Sequence, residues 1–325
     1  MNNILEVKNL ETTFINKDNK TKVLNGISFD LQKEHILGIV GESGSGKSVT
    51  MLSIMKLLDK RNTTINGEIL FCGTDISKYN EKEMQKIRGK KISMIFQDPM
   101  TALNPVWSIG YQLLESIHLH TNLRGTSASD KIIELLTQVG ISDAKERLSV
   151  FPHELSGGMR QRVMIAMALC SSPDILIADE PTTALDVTVQ AEILELIKSL
   201  TKVHHMSTII ITHDLGVVVD LCDEICVLYA GRICEKGTTY DIFKNPKHEY
   251  TKGLLNSVPT LKGNKRMNPI GGNPINIQAL PSGCPFYPRC KSSMKICKIV
   301  VPPLKSFGNN HYASCFMNEI NSEDK

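Results

Sequence analysis

Gly41-Glu42-Ser43-Gly44-Ser45-Gly46-Lys47-Ser48 has the spacing G-x-x-x-x-G-K-[ST] of a phosphate-binding loop. The flanking residues supply what such a loop needs. Ile36-Leu37-Gly38-Ile39-Val40 before it is a short apolar, β-branched run that predicts a buried parallel strand. After it, Met51, Leu52, Met55 and Leu58 recur at the spacing of one helix face. Between strand and helix, glycines let backbone N–H groups turn inward around phosphate oxygens, and the helix N-terminus adds a partial positive charge. In that arrangement Lys47 reaches the β- and γ-phosphates while the Ser48 hydroxyl ligates Mg²⁺. Gly41 to Ser48, with Val49 after it, is therefore the expected phosphate-binding stretch.

The 325 residues leave room for one large domain plus an extension, or for two domains. Lys and Arg total 37 against 34 Asp and Glu, spread along the chain, which gives no argument for nucleic acid as a partner. No apolar run reaches the roughly 18 to 20 residues of a membrane-spanning helix, and Met1-Asn2-Asn3 leads directly into a strand-like segment. A cytosolic chain that docks on a membrane protein is the expectation. Of nine cysteines, Cys72, Cys170, Cys222, Cys226 and Cys234 lie in apolar stretches and read as small core residues.

Residues 4 to 35 predict an antiparallel layer containing Leu5-Glu6-Val7 and Ile27-Ser28-Phe29-Asp30-Leu31, joined by a polar turn from Asn16 to Lys22. Phe14 in that layer is placed either to stack on an adenine ring or to pack within the sheet. Gly67 to Phe71 reads as a further strand, and Glu81 to Lys90 as a polar helical stretch. Ile92 to Ile95 is a strand leading to Gln97, whose uncharged side chain can contact Mg²⁺ or a water near the γ-phosphate. From Val106 to about Phe151 the periodicity is helical, a helical insertion in an otherwise α/β chain.

Leu155-Ser156-Gly157-Gly158-Met159-Arg160-Gln161 opens another helix, where a hydroxyl and backbone amides can face an anion. Ile175-Leu176-Ile177-Ala178-Asp179-Glu180 is a buried strand ending in two acids. With a phosphate loop in the same chain, Asp179 fits the Mg²⁺ shell and Glu180 can orient or deprotonate the attacking water. Thr208-Ile209-Ile210-Ile211 is a strand leading to His213, at an edge where ligands bind in parallel sheets.

Together these stretches resemble the nucleotide-binding subunits of ABC transporters over residues 4 to 240. Ser43 to Ser48 corresponds to Walker A, Gln97 to the Q-loop, Leu155 to Gln161 to the signature sequence and Ile175 to Glu180 to Walker B. Ala184-Leu185-Asp186 corresponds to the D-loop and His213 to the switch histidine. Within the family, Ser93 to Thr101, Phe151-Pro152-His153-Glu154 and Asp179 to Gln190 are similar to the oligopeptide and dipeptide importers. So is the C-terminal portion, where His248-Glu249-Tyr250 replaces the usual His-Pro-Tyr.

The resemblance implies a phosphate-loop α/β ATPase: a RecA-like core with an antiparallel β subdomain, a helical subdomain and a small irregular C-terminal extension. The corresponding segments are 1–99 and 159–240 for the core, 100–158 for the helical part and 241–325 for the extension. It implies two cassettes sandwiching two ATP molecules, with Ser156, Gly157, Gly158 and Gln161 meeting nucleotide held by the partner, and Asp186 in the D-loop. Phe14 becomes the adenine-stacking residue, and Ser48, Gln97 and Asp179 hold Mg²⁺, with Glu180, Gln97 and His213 catalytic. The implied partners are a second, paralogous ATPase subunit, two membrane permeases, which contact Met100 to Pro105, and an extracytoplasmic peptide-binding protein, at the cytoplasmic face of the membrane. The ATPase motifs also fit nickel or another small solute as cargo, and only the long cysteine-bearing tail favours peptides. A soluble ABC ATPase of DNA repair or translation is the remaining reading, against which stand the single phosphate loop and the lack of a sustained heptad pattern.

Cys284, Cys290, Cys297 and Cys315 stand in a proline-containing tail with weak apolar patterning, which needs another constraint to fold. Their spacings are not the C-x-x-C pairs of common zinc ribbons. They look like the four-cysteine motif of the peptide importers, which implies a [4Fe–4S] cluster, with zinc and free thiols or disulfides as alternatives.

Overall fold

The computed structural model describes residues 3–16, 19–183, 185–257, 270–308 and 310–318. The chain begins with strands β1 (Asn3–Asn16), β2 (Asn19–Gln32) and β3 (Ile36–Val40), helix α1 (Lys47–Ile54), and strands β4 (Thr63–Phe71) and β5 (Thr74–Asp75). Helix α2 (Glu81–Gln85), strand β6 (Ile92–Ile95) and helices α3 (Pro99–Ala102), α4 (Ile109–His120), α5 (Thr126–Gln138), α6 (Ala144–Arg147) and α7 (Gly157–Leu169) follow. Next come β7 (Ile175–Asp179), α8 (Val187–Val203), β8 (Ser207–Thr212), α9 (Leu215–Val218), β9 (Glu224–Tyr229) and β10 (Arg232–Thr238). The chain closes with α10 (Thr239–Lys244), α11 (Glu249–Ser257), β11 (Lys305–Ser306) and β12 (Tyr312–Ala313). It divides into two compact units, each described by itself.

The first unit comprises the described parts of Met1–Gln32, Ile36–Lys78 and Thr212–Lys325. It holds the antiparallel layer β2-β1-β4-β5, with Leu5, Val7, Leu10, Ile27 and Phe29 buried. A hydrogen bond of 2.8 Å between the Thr12 and Ser53 hydroxyls fastens this layer to α1. Strand β3, buried at all five residues, runs parallel to β9. Outward from β9 lie β10, β12 and β11, all antiparallel. The extension is anchored here by Glu235, fully buried on β10. Its carboxylate accepts from the backbone N–H groups of Lys247 (2.6 Å) and His248 (2.9 Å) and bonds His311 Nε2 at 2.8 Å. Such saturation offsets the cost of a carboxylate in the interior.

The second unit comprises Lys33–His35 and the described parts of Tyr79–Ile211. Strands β6, β7 and β8 are parallel, in the order β6-β7-β8. The insertion expected between Val106 and Phe151 is helical, with Ile109, Leu113, Ile117, Ile132, Leu135 and Leu136 buried.

Three local expectations need correction. The helical stretch read over Glu81–Lys90 ends as α2 at Gln85. Gly89, at φ 71°, turns the chain and gives its N–H to the Ile92 carbonyl, feeding β6. Cys72 is exposed rather than in the core, because Cys72 (φ 48°) and Gly73 (φ 78°) form the two-residue turn between β4 and β5, which requires positive φ at both places. Helix α1 stops at Ile54, so Met51 and Met55 are buried while Leu58 lies past its end. Residues 17 and 18 of the first turn, Ala184 of the D-loop and the Met100 side chain lie outside what is described.

Candidate phosphate site and its acidic strand

In the first unit, β3 delivers the chain into Gly41, where a side chain has no room: a Cβ would strike the Leu228 carbonyl and come within 2.7 Å of Ser45 Oγ. Gly44 (φ 77°) and Gly46 (φ 105°) take left-handed conformations that glycine adopts at little cost, and Gly46 is the N-cap of α1. The loop closes on itself through the Ser45 N–H, which donates to the Glu42 carbonyl at 3.1 Å. It is pinned to the turn after β9 by the Gly231 N–H donating to the Ser45 carbonyl at 2.8 Å.

Lys47 is buried, and its Nζ donates to the carbonyls of Gly41 (2.6 Å) and Glu42 (3.0 Å). The cation is thus held against the backbone of the loop itself. The Ser45 Oγ is buried with no hydrogen-bond partner among the described residues, a polar atom that a bound phosphate would satisfy. Ser48 and Val49 begin α1 and are half-buried, whereas Ser43 and Gly44 are exposed. Phe14 is half-buried on β1, paired with Thr21 of β2 and Thr63 of β4. His213 follows β8 directly and is exposed.

In the second unit, all five residues of β7 are buried and Asp179 is its last. Glu180 leaves the strand at φ 45°, the left-handed region, with its N–H donating to the Ile211 carbonyl at 2.9 Å. A non-glycine residue held there is a strained position of the kind found at functional sites. The kink brings the Glu180 carboxylate to Gln97 Nε2 (3.1 Å) and to the Thr183 hydroxyl (3.0 Å). Gln97 and Glu180, both singled out from sequence, are therefore hydrogen-bonded. Thr183 was not singled out, since a threonine three residues past an acid carries no distinguishing pattern.

The signature stretch forms the start of α7. Ser156 is the N-cap and accepts from the Met159 N–H at 3.3 Å, leaving Gly157 and Gly158 as the first helical residues. A Cβ on Gly158 would meet Val189 Cγ1 at 2.8 Å, so glycine allows α7 to approach α8 closely here. Asp186 caps α8 by accepting from that same Val189 at its N–H, 3.0 Å away. The signature and D-loop residues are thereby brought side by side. Gln161 is buried, and its Nε2 has no partner among the described residues.

The four tail cysteines all lie in the first unit, with Cys284 and Cys297 buried and Cys290 and Cys315 half-buried. Burial pushes the Cys284 thiol up to about 11, and neighbouring Cys297, Cys315 and Cys290 add to the shift. Burial also raises Cys290 and Cys315. The Cys284 N–H donates to the Cys297 carbonyl at 2.8 Å, which ties these two stretches of the tail together. Among the described residues, however, no group of three or more His, Cys, Asp or Glu is arranged to hold a metal ion. No described helix is long and apolar enough to cross a membrane.

Comparison with known proteins agrees with this geometry. A family profile described as ABC transporter matches residues 24–183, and one described as the C-terminal region of oligopeptide/dipeptide transporters matches residues 234–297. The dipeptide transport ATP-binding protein DppD of Bacillus subtilis is 48% identical over 99% of this chain and 97% of its own length. The oligopeptide transport ATP-binding protein OppD of Salmonella typhimurium is 48% identical over 97% of this chain and 94% of its own length. Among solved structures, the ATP-binding cassette MJ0796 bound to ADP and phosphate superposes with a TM-score of 0.65 at 26% identity. It covers 72% of this chain and 98% of its own.

Proposed function

The chain belongs to the ATP-binding subunits of ABC transporters, in the oligopeptide and dipeptide branch, and from that premise we propose how its residues divide the work. It is an ATPase coupled to the import of di- or oligopeptides. The observation that carries this reading is the occurrence in one chain of the glycine-walled loop around Lys47 and a matching oligopeptide C-terminal region.

Lys47 and the backbone of Gly41 to Val49 bind the triphosphate, with Phe14 against the adenine. Ser48, Gln97 and Asp179 have the hard oxygen donors that Mg²⁺ requires, and the ion neutralises charge on the phosphates when bound. Glu180 orients the attacking water and takes its proton, held in place by Gln97 and Thr183, and His213 contacts the γ-phosphate. Ser156, Gly157, Gly158 and Gln161, with Asp186 beside them, meet the nucleotide of a second ATPase subunit, a paralogue. The subunit is peripheral at the cytoplasmic face of the membrane, working with two permeases and an external peptide-binding protein.

For the tail, we propose that Cys284, Cys290, Cys297 and Cys315 hold a [4Fe–4S] cluster, with zinc as the alternative. The support is the donor set itself: four cysteines in one tail, with the Cys284 and Cys297 backbones hydrogen-bonded, suit iron–sulfur chemistry. Such a cluster would lend the tail rigidity.

The test is reconstitution of this subunit with its permeases, paralogue and binding protein in proteoliposomes. Peptide-stimulated ATP hydrolysis with peptide accumulation is the expected result. Stimulation by nickel or another small solute in place of peptide would reassign the cargo.

A further inference from the structure

Glu42, the second residue of the phosphate loop, is held at three of its groups within the first unit. Its N–H donates to the Tyr250 hydroxyl at 2.8 Å, and its carbonyl accepts from Lys47 Nζ at 3.0 Å. Its carboxylate receives two parallel bonds from Arg289, Nη1 to Oε2 at 2.5 Å and Nη2 to Oε1 at 2.9 Å. The first and third partners come from the C-terminal extension, more than two hundred residues away.

The extension invests heavily in this contact. The Arg289 side chain is only 5% exposed. Its Nε donates to the Gly271 carbonyl at 3.0 Å and Nη1 to the Tyr229 hydroxyl at 3.4 Å, and the guanidinium lies over the rings of Tyr229 and Phe286. Tyr229, Tyr250 and Phe286 pack on one another with ring centres 4.6 to 5.3 Å apart. Arg289 itself sits in a run of tight turns, its N–H on the Phe286 carbonyl and the Cys290 N–H on that of Tyr287. A planar fork locked by aromatic walls and four donated bonds loses little freedom in gripping a carboxylate.

Beyond Glu42 the loop is next tied down at Ser45, whose carbonyl accepts from the Gly231 N–H, so Ser43 and Gly44 form an outer arc between the two anchors. Ser43 and Gly44 are exposed, and a Cβ at Gly44 would meet nothing within 4 Å. The direction of the N–H groups on that outer arc therefore depends on how Glu42 enters it, and those groups do the phosphate binding. We infer that Arg289 and Tyr250 are positioning residues for nucleotide: through Glu42 they hold the outer arc of the phosphate loop in its ATP-accepting shape, making the C-terminal extension a determinant of ATP affinity. This rests on the ATPase reading above.

The experiment is steady-state ATP hydrolysis by the assembled transporter, separating KM from kcat. Arg289→Ala raises the KM for ATP about tenfold, the scale of losing one charge-assisted pair, while kcat changes little. Arg289→Lys, which keeps the charge but not the fork, falls between. Adding Glu42→Ala to Arg289→Ala raises KM no further, because both act through one contact. A purely structural role would lower the melting temperature and leave KM where it was. An unchanged KM in Arg289→Ala, or additive effects in the double variant, overturns the inference. Should Arg289→Ala fail to assemble, Tyr250→Phe decides alone, since it keeps the ring in the core and deletes only the hydroxyl: a raised KM supports the brace and an unchanged KM refutes it. A wild-type complex that hydrolyses no ATP would defeat the ATPase reading itself, whereas an active complex indifferent to Arg289 defeats only the brace.

Discussion

The side-chain amide of Gln97, two residues beyond β6, donates to the carboxylate of Glu180, one residue beyond β7, at 3.1 Å. The Thr183 hydroxyl donates to the same oxygen at 3.0 Å. Two donors on Oε2 fix the orientation of this carboxylate, which the proposed reading makes the base. Glu180→Gln keeps the shape and removes the base. Its expected outcome is a fall in kcat of about 10² to 10⁴, the usual cost of losing a general base, with ATP still bound. Single-turnover hydrolysis in the assembled complex measures this, and near-normal turnover would remove Glu180 from the role.

Gly46 cannot be replaced without strain. It stands at φ 105°, and a Cβ there would come within 2.9 Å of Leu24 Cδ2. Gly46→Ala is expected to destabilise the fold by about 1 to 3 kcal/mol, and to weaken ATP binding because Gly46 caps the helix that carries Lys47 and Ser48. Urea unfolding alongside nucleotide titration checks both; full stability with native affinity would contradict the geometry.

The nucleotide motifs and the Arg289–Glu42 contact differ in how far the sequence discloses them. The phosphate loop, the acid strand and the signature helix are legible because their chemistry is carried by neighbours in sequence: glycines before Lys47, acids closing an apolar run, serine before two glycines. Phosphate chemistry needs that local spacing, so the pattern survives in one dimension. Arg289 gripping Glu42 has no local signature, since an arginine before Cys290 and a glutamate in a glycine loop declare nothing about their distance in space. Cys72 misled for a related reason: its apolar neighbours suggest burial, but a two-residue turn sets its backbone first. Glu81 to Arg88 has helical composition, yet the helix ends at Gln85 and Gly89 turns the chain into β6.

The buried acid on β10 offers a test of how the extension is anchored. Glu235 accepts from two backbone N–H groups and from His311. His311→Ala removes one partner from a buried carboxylate, and the expected cost is about 1 to 3 kcal/mol of stability. Hydrogen exchange of the tail residues 302–308 and 310–316 should accelerate more than that of α7, and protection equal to that of the unaltered chain would show that His311 anchors nothing.

Acid stability follows from His248. Burial holds its imidazole down to about 4, opposed by Glu235 and Glu249 and assisted by Lys252. The folded value lies below the unfolded value of 6.5, so the unfolded chain binds the extra proton between those limits. The contribution is fully present above about pH 6.5 and is lost as pH falls toward 4, on the order of 3 kcal/mol at most. His248→Asn, which retains an acceptor for the Tyr250 N–H, should flatten this decline in unfolding curves taken from pH 7 to 4. An unchanged slope would place the titration elsewhere.

Anaerobic purification tests the tail. The expected result is iron with acid-labile sulfide and a visible charge-transfer band, both lost in Cys284→Ser. Zinc alone would reassign the ion, and metal-free protein with four titratable thiols would reject the cluster.

The most direct measurement is isothermal titration of ATP, with magnesium, into the folded chain and into Lys47→Ala. The fold around Lys47 predicts saturable binding by the first and none by the second, at matched thermal stability. Only heats of dilution from the unaltered chain, or equal affinity in both, would contradict the assignment of this loop as the nucleotide site.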